Sequence, residues 1–284
     1  MPNCLPPFTN TFCVLLAGGK GTRLHELTAS ESKPALPFAG GRLVDFAMEN
    51  AARSGLRQVL VATQYQSAGL AAHLHRRWSA RFPGGLQLRD GAVTPPGYCG
   101  TADALRANLA EIARSGADTV LVLSADHVYR MDYRPMIARH LASGSKVTVA
   151  ADTAPLDRAS SFGVLSAGPQ DAITGFAEKP ARPEPVAGDP GRALVSMGIY
   201  VFDRRWLETV LADPALNDFG HDILPLAVAQ GVAQVHRSAG EGFYWRDVGT
   251  LDGYRLAHLD FLRGAAAMPF PPLHDWRCPP PARL

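Results

Sequence analysis

Four short segments bring together residue types that handle phosphates and metal ions. LAGGKGTRL (16–24) follows an apolar run directly and holds Gly18, Gly19 and Gly21 beside the fixed charge of Arg23. Such glycines permit a tight turn whose amide N–H groups converge on an anion, although a strand–helix turn with no ligand would read the same in isolation. Neither common nucleotide signature is present, because Lys20 lies between the glycines rather than in a GxxxxGKS/T spacing, and Arg23-Leu24 stands where GxGxxG needs its third glycine. That argues against a P-loop kinase or a dinucleotide dehydrogenase. LSADHVY (123–129) places Asp126 just beyond a second apolar run, where a carboxylate is a natural partner for Mg²⁺ or a plain N-cap for the next segment. FAEKP (176–180) offers Glu178 and Lys179, otherwise an ordinary surface pair, and YWRDVGT (244–250) offers Asp247 as a second carboxylate or a turn residue. In GYCGTADA (97–104), Tyr98 and Gly100-Thr101 precede a predicted helix whose first N–H groups would be free for a base edge or phosphate. The nine histidines show no ligand spacing, and none is assigned a role.

The elements that must position these residues form an alternating pattern. FCVLLAG (12–18), RQVLVAT (57–63), TVLVLSA (119–125) and KVTVAA (146–151) are near-continuously apolar, as strands buried on both faces of a parallel sheet are. Helical stretches lie between them at 44–55, 66–78 and 101–116, the last with Leu105, Leu109 and Ile112 on one stripe. Beyond residue 160 the pattern turns β-rich, with strands at 162–166, 172–180, 194–203, 232–236 and 243–249 and helices near 204–212, 218–230 and 250–263. The expectation is an α/β fold, a doubly wound sheet binding ligands at the carboxyl ends of its strands. Residues 1–264 read as one catalytic domain and 265–284 as a proline-rich tail.

Composition narrows the function classes. With 28 Lys+Arg against 26 Asp+Glu in 284 residues, the formal charge of +2 is too small for a dedicated nucleic-acid or acidic-membrane binder. An anionic substrate must then be held by a few placed cations and amides. The four cysteines, Cys4, Cys13, Cys99 and Cys278, are scattered without a zinc or disulfide pattern. No apolar run is long enough to span a bilayer, and the first one runs into the glycine turn rather than a cleavage site, which predicts a cytoplasmic protein.

In this order the motifs resemble those of the sugar-1-phosphate nucleotidyltransferases, and within them the bacterial glucose-1-phosphate adenylyltransferases. LAGGKGTRL with EKP marks the broader group, while TQYQS (63–67), GYCGTADAL, SMGIYVF (196–202), DFGHDILP (218–225) and YWRDVGT are more specific. The resemblance covers residues 12–264. It implies a Rossmann-like doubly wound mixed sheet of the nucleotide-diphospho-sugar transferase type, and a reaction joining ATP and α-D-glucose 1-phosphate into ADP-glucose and pyrophosphate with Mg²⁺, for glycogen or another α-glucan. Other sugar nucleotides (UDP-, dTDP- or GDP-linked) or a non-catalytic sugar-phosphate sensor are the alternatives. By similarity, Arg23, Lys33 and Asp126 would be catalytic, and Asp126 with Asp247 would hold the metal. Ala17, Gly18, Gly19, Gly21, Thr22, Gln64, Gly100 and Thr101 would bind the nucleotide, and Tyr98, Gly163, Glu178, Lys179 and Ser196 the sugar phosphate. The implied partners are these two small molecules and further copies of the same catalytic domain, with no nucleic acid or membrane. Two positions depart from the family pattern: Cys99 stands where an arginine is usual, and Ser30-Glu31-Ser32 stands where activator-sensitive relatives carry Lys-Arg. Relatives also carry a C-terminal β-helix after this region. Together these differences predict a weak response to anionic effectors.

Overall fold

Alternate residues of the first strand face two different cores. In the computed structural model, which describes residues 10–237 and 244–263, Phe12 and Val14 pack into one apolar cluster while Cys13 and Leu15 pack into another. A strand buried on both faces must sit inside a sheet covered on both sides, and the chain winds accordingly. β1 (Thr11–Ala17) leads to a small hairpin, β2 (Pro37–Phe38) and β3 (Gly41–Arg42), then to α1 (Val44–Arg53), β4 (Gln58–Thr63), α2 (Ser67–Trp78) and β5 (Gly85–Asp90). Next come α3 (Thr101–Arg106), α4 (Leu109–Arg114), β6 (Thr119–Ser124), β7 (His127–Arg130), α5 (Arg134–Ser143) and β8 (Val147–Pro155). The remainder is β9 (Gly163–Ala167), β10 (Ile173–Glu178), β11 (Arg192–Asp203), α6 (Arg204–Leu211), α7 (Leu224–Ala229), β12 (Ala233–Arg237), β13 (Tyr244–Asp247) and α8 (Leu251–Leu262).

The nine-stranded sheet runs β10-β9-β11-β6-β1-β4-β5, with β8 also paired to β11 and β12 to β8. β6, β1, β4 and β5 are mutually parallel, whereas β11 runs antiparallel to β6, β8 and β9, so the doubly wound sheet is mixed. β7 and β13 form a separate antiparallel ribbon.

Several boundaries differ from the sequence expectation for identifiable reasons. The predicted 101–116 helix is two helices, because the buried Asn108 side chain donates to the Ala104 carbonyl at 2.7 Å while its own N–H turns to Leu105 O. Leu105 and Ile112 still reach the same core, with Leu109 against it. The 218–230 segment opens as a π turn over Phe219–Ile223 before α7. β10 stops at Glu178 because Lys179 adopts φ 45°, a left-handed conformation that ends the strand. β5, β7 and α5 lack a strong apolar period and arise from tertiary pairing. The tail at 265–284, Cys4 and Cys278 lie outside the described residues; Cys13 and Cys99 are free thiols. Among the described residues no helix is long and apolar enough to cross a membrane.

A buried polar cluster joins α5, β8 and β12. His140 Nδ1 lies 2.8 Å from Thr148 Oγ1, and Gln234 Nε2 donates to Thr148 Oγ1 and to Ser143 Oγ at 2.8 and 2.7 Å. Burial pushes the His140 imidazole down from 6.5 to about 4. Between those values the unfolded chain binds more protons than the fold, so this contribution is complete above the unfolded pKa and fades as pH falls through the window. His140→Asn is therefore expected to shrink the stability gap between pH 7 and pH 4.5 by about 2–3 kcal/mol, with His236, also pushed down by burial, and carboxylates held low by their partners supplying the remaining slope. Urea unfolding at both pH values checks this, and an unchanged gap would refute it.

Candidate active site

A cleft of about 540 Å³ opens at the carboxyl ends of β1, β4 and β6. Its floor is the turn after β1, with Ala17, Gly18, Gly19, Gly21, Thr22 and Arg23 along it. Gly21 sits at φ 64°, and a Cβ there would lie 3.0 Å from both Lys33 Cβ and Thr28 Cγ2, so only glycine lets this turn rest on the Lys33 segment. Thr28 Oγ1 donates to Gly21 O at 3.0 Å and fixes the contact. Lys33 comes from a short turn started by Pro34; it is only 5% exposed, and its Nζ points at carboxylates rather than solvent.

Those carboxylates come from two distant segments. Asp126 follows β6 and Asp247 ends β13, and the ribbon register pairs Asp247 with His127, the neighbour of Asp126. Lys33 Nζ lies 2.9 Å from Asp126 Oδ2 and 3.6 Å from Asp247 Oδ1, while His127 Nε2 lies 3.6 and 3.7 Å from the same two carboxylates. Burial alone would raise the Asp126 carboxyl, but His127, Lys33 and the Ser124 hydroxyl that donates to it override burial and hold it well below the usual carboxylate range. Gly249 N–H donates to Asp247 Oδ1 at 2.9 Å, and a Cβ on Gly249 would lie 2.8 Å from Arg23 Nη2, so this glycine leaves space for the guanidinium. One apolar cluster anchors all four segments: Leu24, Leu36, Val128 and Val248, each next to or near a charged site residue, pack together with Phe38 and Phe46. Two carboxylates beside a phosphate-sized glycine turn could hold one divalent cation whose remaining ligands come from phosphate and water.

The opposite wall is built around Glu178 and Lys179. Lys179 Nζ lies 2.5 Å from Glu178 Oε1, and its backbone N–H donates to Phe162 O at 3.0 Å, holding the left-handed conformation. Gly220 makes room for the Glu178 carboxylate, which a Cβ there would overlap, and Gly163 makes room for the Phe176 ring, 2.6 Å from a Cβ placed there, as well as for Glu178 Oε2 at 3.0 Å. In β11 the register shifts between Ser196 and Tyr200, and Gly198 sits at φ 70° within the bulge. The bulge turns Gly198 and Tyr200 into the cleft, while Ser196 stays behind it with its Oγ 3.3 Å from Tyr200 OH. Burial pushes that phenol up to about 12, so it remains a hydrogen-bond donor at neutral pH.

A family model described as nucleotidyl transferase matches residues 12–264. The chain belongs to the nucleotidyl transferase family. A glucose-1-phosphate adenylyltransferase of Dechloromonas aromatica is 42% identical over 273 residues, covering 89% of this chain and 62% of its own length. Glucose-1-phosphate adenylyltransferase 1 of Alkalilimnicola ehrlichii is 41% identical over 280 residues, covering 91% of this chain and 66% of its own. The corresponding protein of a Jannaschia species is 42% identical over 265 residues, covering 87% and 63%. This nucleotidyl transferase thus spans less than two thirds of the length of these curated relatives.

Within this nucleotidyl transferase the residues singled out from sequence do not all converge. Arg23, Lys33, Tyr98, Gly100, Thr101, Asp126, Glu178 and Lys179 line the cleft, whereas Gly163 and Ser196 shape its wall from behind and Asp247 reaches the group through Lys33 without lining the cleft. Gln64 lines the cleft too, but its amide is occupied: Oε1 accepts Tyr98 N–H at 2.6 Å and Nε2 donates to Tyr98 O at 3.3 Å. Tyr98 therefore lies beside Gln64, with its ring against Gly91 and its hydroxyl accepting from Asn108. The free N–H groups expected after Gly100-Thr101 are not free, because Asn217 O accepts from both Ala102 N and Asp103 N, at 2.9 and 3.2 Å. Thr101 Oγ1 is likewise engaged, donating to Asp218 Oδ2 and accepting from Phe219 N. Sequence reasoning passed over His127, whose only signal is adjacency to Asp126, and Asp218, which caps the π turn through Gly220 and His221 N–H groups. Glu31 pairs with Arg42 at 2.9 Å.

Replacing Lys33 by methionine tests the charge balance of this site. Two facing carboxylates would lose their bridging cation, and the variant is expected to be about 1–3 kcal/mol less stable at pH 7. Because the native Asp126 carboxyl is held low, that contribution exists above its unfolded pKa and is lost as pH falls, so the deficit should narrow below pH about 4. Denaturant melts of Lys33→Met at pH 7 and pH 3.5 read this out; a deficit equal at both would contradict it.

Proposed function

We propose that this nucleotidyl transferase joins ATP and α-D-glucose 1-phosphate to give ADP-glucose and pyrophosphate, supplying an α-glucan pathway in the cytoplasm. The observation that carries the reading is the meeting of Asp126 and Asp247 over Lys33, beside a glycine turn that carries Arg23. Among the described residues no histidine or cysteine lines the cleft, so it holds no Ser–His or Cys–His pair, which suits a transfer in which the substrate itself attacks. A phosphate oxygen of glucose 1-phosphate attacks the α-phosphorus of ATP in line, the bond from that phosphorus to the bridging oxygen breaks, and pyrophosphate leaves with the electron pair. The protein contributes placement and charge. The glycine turn and Arg23 would cradle the departing phosphates, Lys33 would neutralise the charge that grows on them, and Lys179 would hold the phosphate of the sugar. Asp126 and Asp247 fit Mg²⁺, which takes one or two carboxylates alongside phosphate oxygens; when bound it would neutralise phosphate charge. The specificity for ATP and glucose 1-phosphate is supported by relatives that carry the name glucose-1-phosphate adenylyltransferase.

Pyrophosphate release measured with each of four nucleoside triphosphates against glucose 1-phosphate and other sugar phosphates tests the reading. Preference for another triphosphate would replace it by a different sugar-nucleotide synthesis. Asp126→Asn is expected to lose at least about 100-fold in kcat in protein that circular dichroism shows to be folded, since one of two metal carboxylates is neutralised. Near-normal turnover would remove Asp126 from the mechanism. Lys179→Ala is expected to raise KM for glucose 1-phosphate about 10–100-fold, the worth of one charge-assisted contact, with KM for ATP little changed. Steady-state kinetics with each substrate varied in turn separates the two constants, and equal shifts would count against the assignment.

A further inference from the structure

Arg106 lies outside the cleft, on the helix whose first residues line it, and every N–H of its guanidinium is engaged. Nε donates to Leu211 O at 2.9 Å, Nη1 to Asp103 Oδ1 and Asn217 Oδ1 at 2.7 and 3.1 Å, and Nη2 to Asp213 O at 2.9 Å and to Leu216 O. A guanidinium has five N–H donors in a rigid fork, and here four of the five acceptors lie between Leu211, the last residue of α6, and the π turn. That segment has no strand partner of its own, so the fork supplies the hydrogen bonds that a ladder would otherwise give.

The same segment continues into the sugar-phosphate wall. Asn217 O crosses Gly100 so closely that a Cβ there would overlap it, and it accepts the first N–H groups of α3. The Asp218 carboxylate then takes Thr101 Oγ1 and caps the turn that carries Gly220. Gly220 packs directly on the Glu178 carboxylate, and Glu178 holds Lys179. Contacts therefore run from the 211–217 segment to Glu178 and Lys179, while Arg106 itself sits at the end of the helix that begins at Thr101.

We propose that Arg106 is a positioning residue for the sugar-phosphate wall, acting through the 211–217 segment and Gly220 on Glu178 and Lys179. The inference rests on the reading of Lys179 as the sugar-phosphate lysine. It separates from a merely structural role by the split between the two constants: general loosening of α3 would raise both alike, whereas displacement of the 211–217 segment, which ends at Gly220 on Glu178, would raise KM for glucose 1-phosphate more.

The test compares wild type with Arg106→Lys, which keeps the charge but presents three donors from one point, and with Asn217→Ala, which removes a single acceptor side chain and keeps the Asn217 carbonyl. Arg106→Lys is expected to raise KM for glucose 1-phosphate about 5–20-fold, with KM for ATP changing less than about twofold, and Asn217→Ala to move it about twofold in the same direction. In the ligand-free proteins, hydrogen exchange followed by mass spectrometry is expected to speed up at least about tenfold in peptides covering 212–223, with β1 and β6 unchanged. A rise confined to KM for ATP, equal rises in both constants, or unaltered exchange at 212–223 would overturn the proposal. If Arg106→Lys does not fold, Asn217→Ala decides by the same two readouts. If wild type forms no ADP-glucose, the functional reading falls, while the exchange data still judge the clamp.

Discussion

Two carboxylates that must share one small space repel each other, and most of the cleft is arranged around that constraint. Asp126 and Asp247 are kept together by Lys33 and His127, each within reach of both. Charge alone could not assemble the group, since an ion pair loses nearly as much in desolvation as it gains in attraction. The assembly comes from apolar packing of Leu24, Leu36, Val128 and Val248, so the hydrophobic effect brings four chain segments together and the charges then settle into the one arrangement that neutralises them. The parallel strands, the β7–β13 ribbon and the glycine turn all serve that placement.

The other wall shows the same economy with different means. Lys179 is held by Glu178 and by a left-handed backbone, and glycines at 163 and 220 leave the space that Glu178 and the Phe176 ring occupy. The bulge in β11 turns Gly198 and Tyr200 into the cleft without breaking the pairing of β11 with β8 on either side. Under the proposed function, cations that are already paired in this fold would have little freedom to lose on meeting phosphates.

Legibility in the sequence followed locality. The glycine turn and Asp126 could be read because each directly follows an apolar strand, and strand ends are where ligands bind in such sheets. The stripe of Leu105, Leu109 and Ile112 was equally visible, but the break between α3 and α4 was not, because it depends on where the Asn108 side chain finds a carbonyl. Pairing of Asp247 with His127 was illegible for a similar reason: β7 has no apolar alternation to announce it and exists because β13 lies beside it. The occupied first turn of α3 is the plainest lesson. Its N–H groups looked free in sequence, and only the tertiary course of Asn217 shows them taken. The family resemblance supplied the order of the motifs, while the contacts among them had to come from the fold.

The ribbon between β7 and β13 has a consequence for a chain made from its amino terminus. The glycine turn, Lys33 and Asp126 all emerge early and can settle on β1, β4 and β6 once those parallel strands pair. At that stage β7 has no strand partner, the apolar cluster around Val128 lacks Val248, and Asp126 shares Lys33 with nothing. Only when β13 has left the ribosome does the ribbon close and bring the second carboxylate to the site. A nascent or truncated chain ending before β13 would carry the glycine turn, Lys33 and Asp126 without the second carboxylate, so the pairing of β13 is the moment at which the charged group becomes complete.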